Sequence, residues 1–283
     1  MLIRAGYSIR FDANIPTPML ALLSIHPSRH KDLQTPQRIE ASPDVPLYNY
    51  EDGFGNICTR LTAPAGGVTL SCDFVIEDNG EADARAPDGP QMPVEALPDD
   101  ILQYLLGSRY CETDRLMDVA WSQFGHIMSA RDRVEAIVDF THQHIEFGYH
   151  HARPDKTAWN GYQERQGVCR DFAHLAITLC RCMNIPARYC TGYLGDIGVP
   201  AVDAPMDFSA WFDVYIDGGW YIYDARHNRP RIGRILMARG RDATDTALTT
   251  AFGSAPLIGF DVHTDEVQSI DWDSMQRGLY PHD

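Results

Sequence analysis

The stretch Gly167-Val168-Cys169-Arg170-Asp171-Phe172-Ala173-His174-Leu175 constrains this chain more than any other. A cysteine directly behind a Gly-Val turn, with an apolar run continuing through Cys180 and Cys182 to the turn Asn184-Ile185-Pro186-Ala187, predicts a thiol at a helix N-terminus. The partial positive charge and free backbone N–H groups of such an end favour thiolate over thiol, so a nucleophilic cysteine is expected there. It would need a base, a group to orient the base, and a cleft.

Composition limits the class of protein that could supply them. With 283 residues, 44% hydrophobic and 22% charged, the chain can bury a sizeable core and reads as an ordinary globular protein. A net charge of −15 argues against nucleic acid or an anionic membrane as partner. No apolar run approaches the ~20 residues of a bilayer-spanning helix. Met1-Leu2-Ile3-Arg4-Ala5-Gly6 lacks the basic and hydrophobic regions of a signal peptide, so a cytoplasmic location is expected. Cysteines at 58, 72, 111, 169, 180, 182 and 190 form neither a disulfide framework nor a zinc-binding spacing, and reduced thiols are the expectation.

Residues 1 to about 80 read as strands. Tyr7, Ile9 and Phe11 share one face at period two, residues 19–25 offer a second strand, Asp52-Gly53 marks a hairpin turn, and residues 68–76 alternate again. A small antiparallel β-domain follows from these. Residues 78–98, rich in Gly, Pro, Ala, Asp and Glu, read as a linker or exposed loop, which places a domain boundary near residue 90. Helical patterns come next: one opening at Pro98, one capped by Thr113-Asp114 with Leu116, Val119, Ala120 and Phe124 on its face, and one marked by Val134, Ile137, Val138 and Ile145. After the cysteine helix, residues 187–194 read as a strand, and residues 210–216 and 220–224 as a hairpin around Asp217-Gly218-Gly219. Helices before strands make the second unit α+β.

Three segments taken together, Gly-Val-Cys-Arg-Asp-Phe-Ala-His-Leu at 167–175, Ile-Pro-Ala-Arg-Tyr and Thr-Gly-Tyr at 185–193, and Tyr-Asp-Ala-Arg-His-Asn at 223–228, resemble the bacterial transglutaminase-like superfamily, whose members are read as cysteine proteases. The likeness extends over the β-rich N-terminal region around Asp52-Gly53-Phe54-Gly55-Asn56. It implies a papain-like transglutaminase core at residues 91–283, preceded by a β-rich domain at 1–90. It also implies acyl transfer: a thiolate attacks a glutamine side-chain amide or a peptide carbonyl, and the thioester passes its acyl group to an amine or water. Cys169 matches the nucleophile and Asp224 the aspartate that orients the base.

The base itself departs from the pattern. Where the resemblance implies the histidine of a His-Ala-Trp, this chain has Ser209-Ala210-Trp211. Serine cannot exchange a proton near neutral pH as the chemistry requires. Three readings stay open: His227, three residues after Asp224, supplies the imidazole; Cys169 works from the helix dipole and Arg170 alone; or the cleft survives as a silent peptide-binding module.

An oxyanion hole would take the Cys169 backbone N–H as first donor, with Gln166 or Trp159 as candidates for the second. Ser209 and Trp211 are candidate substrate contacts on the following strand. His174, five residues into the helix, is turned about 140° from the thiol at ~100° per residue and reads as a packing residue. His142 and His144 fall on different faces of a helix, adjacent His150 and His151 point apart, and no nearby cysteine completes a zinc set, so neither a metal nor a cofactor is expected. The basic run Arg229-Pro230-Arg231-Ile232-Gly233-Arg234 could hold an acidic peptide or a carboxylate. A peptide or protein is the expected partner, and the N-terminal unit is free to dock substrate or to form a homo-oligomer.

Overall fold

The computed structural model describes residues 1–201 and 206–270. The chain opens with strands β1 (Leu2–Phe11), β2 (Thr17–Ala21), β3 (Glu40–Ser42), β4 (Tyr48–Glu51), β5 (Ile57–Ala63) and β6 (Val68–Glu77). Helices α1 (Thr113–Phe124) and α2 (Ala130–His144) follow, then β7 (Glu146–Phe147), α3 (Ala158–Glu164), β8 (Gln166–Gly167) and α4 (Cys169–Cys182). The strands β9 (Ala187–Tyr193), β10 (Ser209–Ile216), β11 (Gly219–Tyr223), β12 (Ile235–Gly240), β13 (Thr249–Ala251) and β14 (Leu257–Val267) complete it. The fold is α+β, with a strand-rich region ahead of a mixed core, as the sequence implies.

Two antiparallel sheets, ordered β14-β1-β6-β3 and β13-β2-β5-β4, share one apolar layer. Alternation builds it: Ile3, Ala5, Tyr7, Ile9 and Phe11 of β1 are all buried in the layer that Met19, Leu61 and Ala63 also fill. The expected hairpin stands between β4 and β5, where Asp52 Oδ1 accepts the N–H groups of Phe54 and Asn56 at 2.8 and 2.9 Å. Strands β13 and β14 went unread in the sequence. Among the described residues both are sheet edges, pairing with β2 and β1 alone, and β14, with one buried residue, carries little of the apolar alternation that a half-buried strand shows.

Helix α4 is the axis of the second core. It is buried on every face, against α1, α2 and α3 and against the sheet ordered β11-β10-β9-β12. A helix buried all round must find partners for its polar side chains. It stops where Asn184 takes a left-handed φ of 58° and the Ile185 N–H closes back on the Cys180 carbonyl at 2.9 Å. Buried Arg181 is satisfied by carbonyls, donating to Ala187 at 2.8 Å and Leu106 at 3.0 Å. Strand β9 joins the two cores, with Ala187 and Tyr189 packed among the helices and Tyr193 among the sandwich residues.

Two local expectations are corrected. Thr113 is the first residue of α1 and not its cap, a position that falls to Glu112. Residues 78–98 are largely irregular but not simply an exposed linker: Ala86 is buried, and Asp83 reaches across to the second core. We propose the division near residue 90 as a description of the two cores, with β13 and β14 counted with the sandwich. Residues 271–283 of the second unit lie outside the described residues.

Candidate active site

The turn into α4 is fixed from both sides. Asp171, the third helical residue, accepts the Val168 N–H at 2.9 Å, the reciprocal half of a capping box. Buried Lys156 donates to the carbonyls of Gln166 at 2.9 Å and His151 at 3.2 Å, tying down the approach. Gly167 leaves room for the cap, because a Cβ there would lie 2.7 Å from the Asp171 Cβ and Oδ2. Gly167→Ala is therefore expected to cost about 1–3 kcal/mol by overpacking, read as a lowered melting temperature, with Cys169 reactivity falling as the turn shifts.

Cys169 opens onto a cleft of about 190 Å³ where the helical core meets the sandwich. Ser209 and His227 line the same cleft, together with Phe147 and Phe208. Strand order explains why they meet. Phe212 faces Tyr223 across the β10–β11 hairpin, so the chain leaving β11 runs past the start of β10, where Ser209 stands.

One carboxylate fixes the histidine. Asp224 Oδ1 accepts the His227 backbone N–H at 3.0 Å and Oδ2 accepts the ring Nδ1–H at 2.8 Å. Burial alone would raise Asp224; the His227 hydrogen bond and the Arg234 charge outweigh it and hold the carboxyl well below the usual carboxylate range. An ionised carboxylate only accepts, so the Nδ1 facing it carries a proton, and in the neutral ring Nε2 holds the lone pair.

Arg234 stands behind this pair. Its Nη2 donates to Asp224 Oδ2 at 2.9 Å, its Nε to Asp83 Oδ2 at 2.9 Å, and its guanidinium lies over the Trp211 ring at 5.0 Å. The two carboxylates sharing it respond differently. Asp83 is raised by burial despite the arginine, whereas Asp224 gains two further hydrogen bonds from His227. The sequence singled out neither Asp83, inside an apparent linker, nor Arg234 as a partner of Asp224, because nothing local marks a contact across ten or more residues.

The helix-end expectation for Cys169 meets a stronger opposing effect. Burial pushes the thiol up to about 11, and Asp207 adds to this, while Arg226 and the Ala210 backbone N–H pull the other way. Partial charge at a helix end does not outweigh desolvation here. The nearby cation is Arg226, whose guanidinium lies 3.9 Å from the Phe147 ring centroid. Arg170 instead donates to the Arg153 carbonyl and sits 3.8 Å from Asp171.

The remaining predicted residues fall in different places. Ser209 is 6% exposed, and its hydroxyl has no hydrogen-bond partner among the described residues. Gln166 is exposed, Trp159 stacks on Tyr162 at 5.9 Å, and Trp211 is buried under Arg234; none of the three lines the cleft. His174 is fully buried, its Nε2 accepting the Ala243 N–H at 3.2 Å and its ring stacked on Tyr110. His142 and His144 hydrogen-bond to the carbonyls of Ala225 and Tyr162. Among the described residues no three His, Cys, Asp or Glu side chains gather as a metal site.

A cysteine at the start of a buried helix, facing strands that deliver an Asp–His pair, is the arrangement of a papain-like α+β core. Residues 120–225 match the family model described as Transglutaminase-like superfamily, and the chain contains a transglutaminase-like domain. The match ends two residues before His227. A solved structure from Cytophaga hutchinsonii, described as a candidate cysteine protease, superposes with a TM-score of 0.82 at 29% identity, covering 95% of this chain and 92% of that one. Among curated relatives, an uncharacterized protein of Mycobacterium leprae is 25% identical over 216 residues, 74% of this chain and 77% of the relative. One from Mycobacterium tuberculosis is 28% identical over 218 residues, 69% of this chain and 68% of the relative. No helix among the described residues is long and apolar enough to cross a membrane.

Proposed function

We propose that this chain is a cysteine-dependent amide hydrolase or acyl transferase acting on a peptide or glutamine amide, with Cys169 as nucleophile, His227 as base and Asp224 orienting it. One observation carries the reading: the histidine whose Nδ1–H is held 2.8 Å from Asp224 lines the same cleft as Cys169. His227 Nε2 takes the thiol proton, sulfur bonds to the amide carbon, and the carbonyl π pair moves to oxygen. Collapse of that adduct breaks the C–N bond, the leaving amine takes the proton from His227, and a thioester remains for water or an amine to resolve. The first-turn N–H of Cys169, without an intrahelical acceptor, and the Ser209 hydroxyl are the donors we assign to the oxyanion. Gln166 and Trp159 have no part in this proposal. A cytoplasmic setting, which would keep the seven free cysteines reduced, belongs to it.

Ser209 at the position of the family histidine, and a thiol raised by burial, favour the silent binding module as the second reading. Competitive alkylation with limiting iodoacetamide at pH 7, mapped by mass spectrometry, separates the two. Burial also holds Cys72, Cys111 and Cys182 at about 12, 11 and 12. Selective labelling of Cys169, at least tenfold ahead of the other six, is the expected result; labelling no faster than theirs would support the silent module.

A further inference from the structure

The cleft's second wall comes from the loop after β11, which brings Arg226, Arg229 and Arg231 to the space that Cys169 and His227 line. In a chain of net charge −15 such a concentration of arginine requires a reason. Arg231 is 3% exposed. Its Nη2 donates to the Gly195 carbonyl at 2.8 Å, and Asp196 stands 3.8 Å away, beyond hydrogen-bond reach. Its Nε is buried with no hydrogen-bond partner among the described residues. Guanidinium groups present a planar fork of donors suited to a carboxylate, and a buried donor left unmade is unfavourable unless a ligand or water takes it.

Among the described residues the arginines of the cleft outnumber its acidic groups. Among the described residues its lining sets two carboxylates, Asp196 beside Arg231 and Asp207 within the field of Arg226, against three arginines. Arg226 lies against Phe147, and neither it nor Arg229 forms an ion pair among the described residues. Ser209 adds a second buried polar group without a partner. At about 190 Å³ the cleft is below the ~300–1,000 Å³ of common ligand pockets, so a group bound by the arginines lies close to the bond at the thiol.

We propose that the arginine wall is a carboxylate-recognition subsite, and that the substrate carries a free carboxylate next to the amide that Cys169 attacks. This rests on the catalytic reading above for its second half only; the subsite itself would bind a carboxylate whether or not Cys169 turns over. The carboxylate could be a peptide C-terminus or an acidic side chain, and both present the same two oxygens.

The test compares two alkylating agents of one reaction type. Sulfur displaces iodide from iodoacetate or iodoacetamide, and the reagents differ in the carboxylate. The ratio of the two Cys169 rates is measured against the same ratio for a small thiol such as N-acetylcysteine. The ratio is expected to favour iodoacetate at least tenfold over that reference, to saturate with iodoacetate concentration, and to fall to the reference in Arg229→Ala. Arg229 is exposed, so this variant tests the subsite without disturbing the core; Arg231→Gln is the deeper variant, checked for folding by its melting curve. Protection of Cys169 by N-acetylglycine would identify a C-terminal carboxylate, and protection by N-acetylglutamate α-amide an acidic side chain. A ratio equal to the reference, or one unchanged in both arginine variants, overturns the subsite. Absolute rates report separately on the catalytic reading: two slow reagents with an elevated ratio would leave the subsite standing and remove the activated thiol.

Discussion

Replacing His227 with alanine is expected to slow alkylation of Cys169 at pH 7 to below the rate of an ordinary thiol. The variant lacks the base that takes the proton as sulfur reacts and is left with the thiolate that burial allows, the thiol standing at about 11 in the folded protein. At pH 7 that leaves a thiolate fraction of ~10⁻⁴, against about 3% for an ordinary cysteine, a deficit of roughly 10²–10³-fold. The sign follows from which form burial disfavours: desolvation opposes the thiolate, so the variant should gain reactivity only as pH climbs toward 11. Turnover of an amide substrate should fall further, since the base must also return the proton to the leaving amine. Asp224→Asn should share much of the loss, because an amide can present its NH₂ to Nδ1 and permit the wrong tautomer.

Arg234→Met is expected to have the largest effect on stability. The guanidinium neutralises Asp83 and Asp224 together inside the protein, and its removal takes from both buried carboxylates the cation they share. Breaking a buried pair by deleting one partner costs about 3–5 kcal/mol. The pH dependence has a definite sign. Asp224 is depressed in the folded state, so it contributes stability above the unfolded value near ~3.9 and loses that contribution as pH falls through its lower folded value. The penalty of Arg234→Met should therefore shrink in acid, as the stranded carboxylates protonate. Urea melts of wild type and variant at neutral pH and near pH 3 would show it. Arg234→Met combined with Asp83→Asn should recover part of the neutral-pH loss.

Local pattern carried much of the fold. Period-two burial along β1, the Asp52 hairpin and the Asp217-Gly218 turn, both residues at positive φ, were legible because each is set by near neighbours in sequence. The start of α4 at Cys169 was legible for the same reason. Edge strand β14 was not, since backbone pairing with β1 holds it and few buried side chains mark it. At the site, Cys169, Asp224 and His227 could be nominated from residue type and order, but their convergence depends on how β10 and β11 pair. Asp83 and Arg226 were beyond reach as site residues, and Arg234 was legible only as part of a basic run and not as the partner of Asp224. Their importance comes from contacts that close only when the loop after β11 folds back on the cleft. Helix-end chemistry alone also gave the wrong sign for Cys169, since the burial that comes with packing α4 into a core cannot be read from a local stretch.

The central claim is that His227, delivered by the loop after β11 and not by β10, takes the proton of Cys169. Its most direct test is the pH titration of the Cys169 thiolate by ultraviolet absorbance, as the difference between each protein and its Cys169→Ser counterpart, in wild type and in His227→Ala. The wild-type thiolate should form at lower pH than that of His227→Ala, because only the wild type has an imidazole to take the proton that burial otherwise holds on sulfur. Superimposable titrations in the two proteins would contradict the claim and leave Cys169 without a base in this cleft.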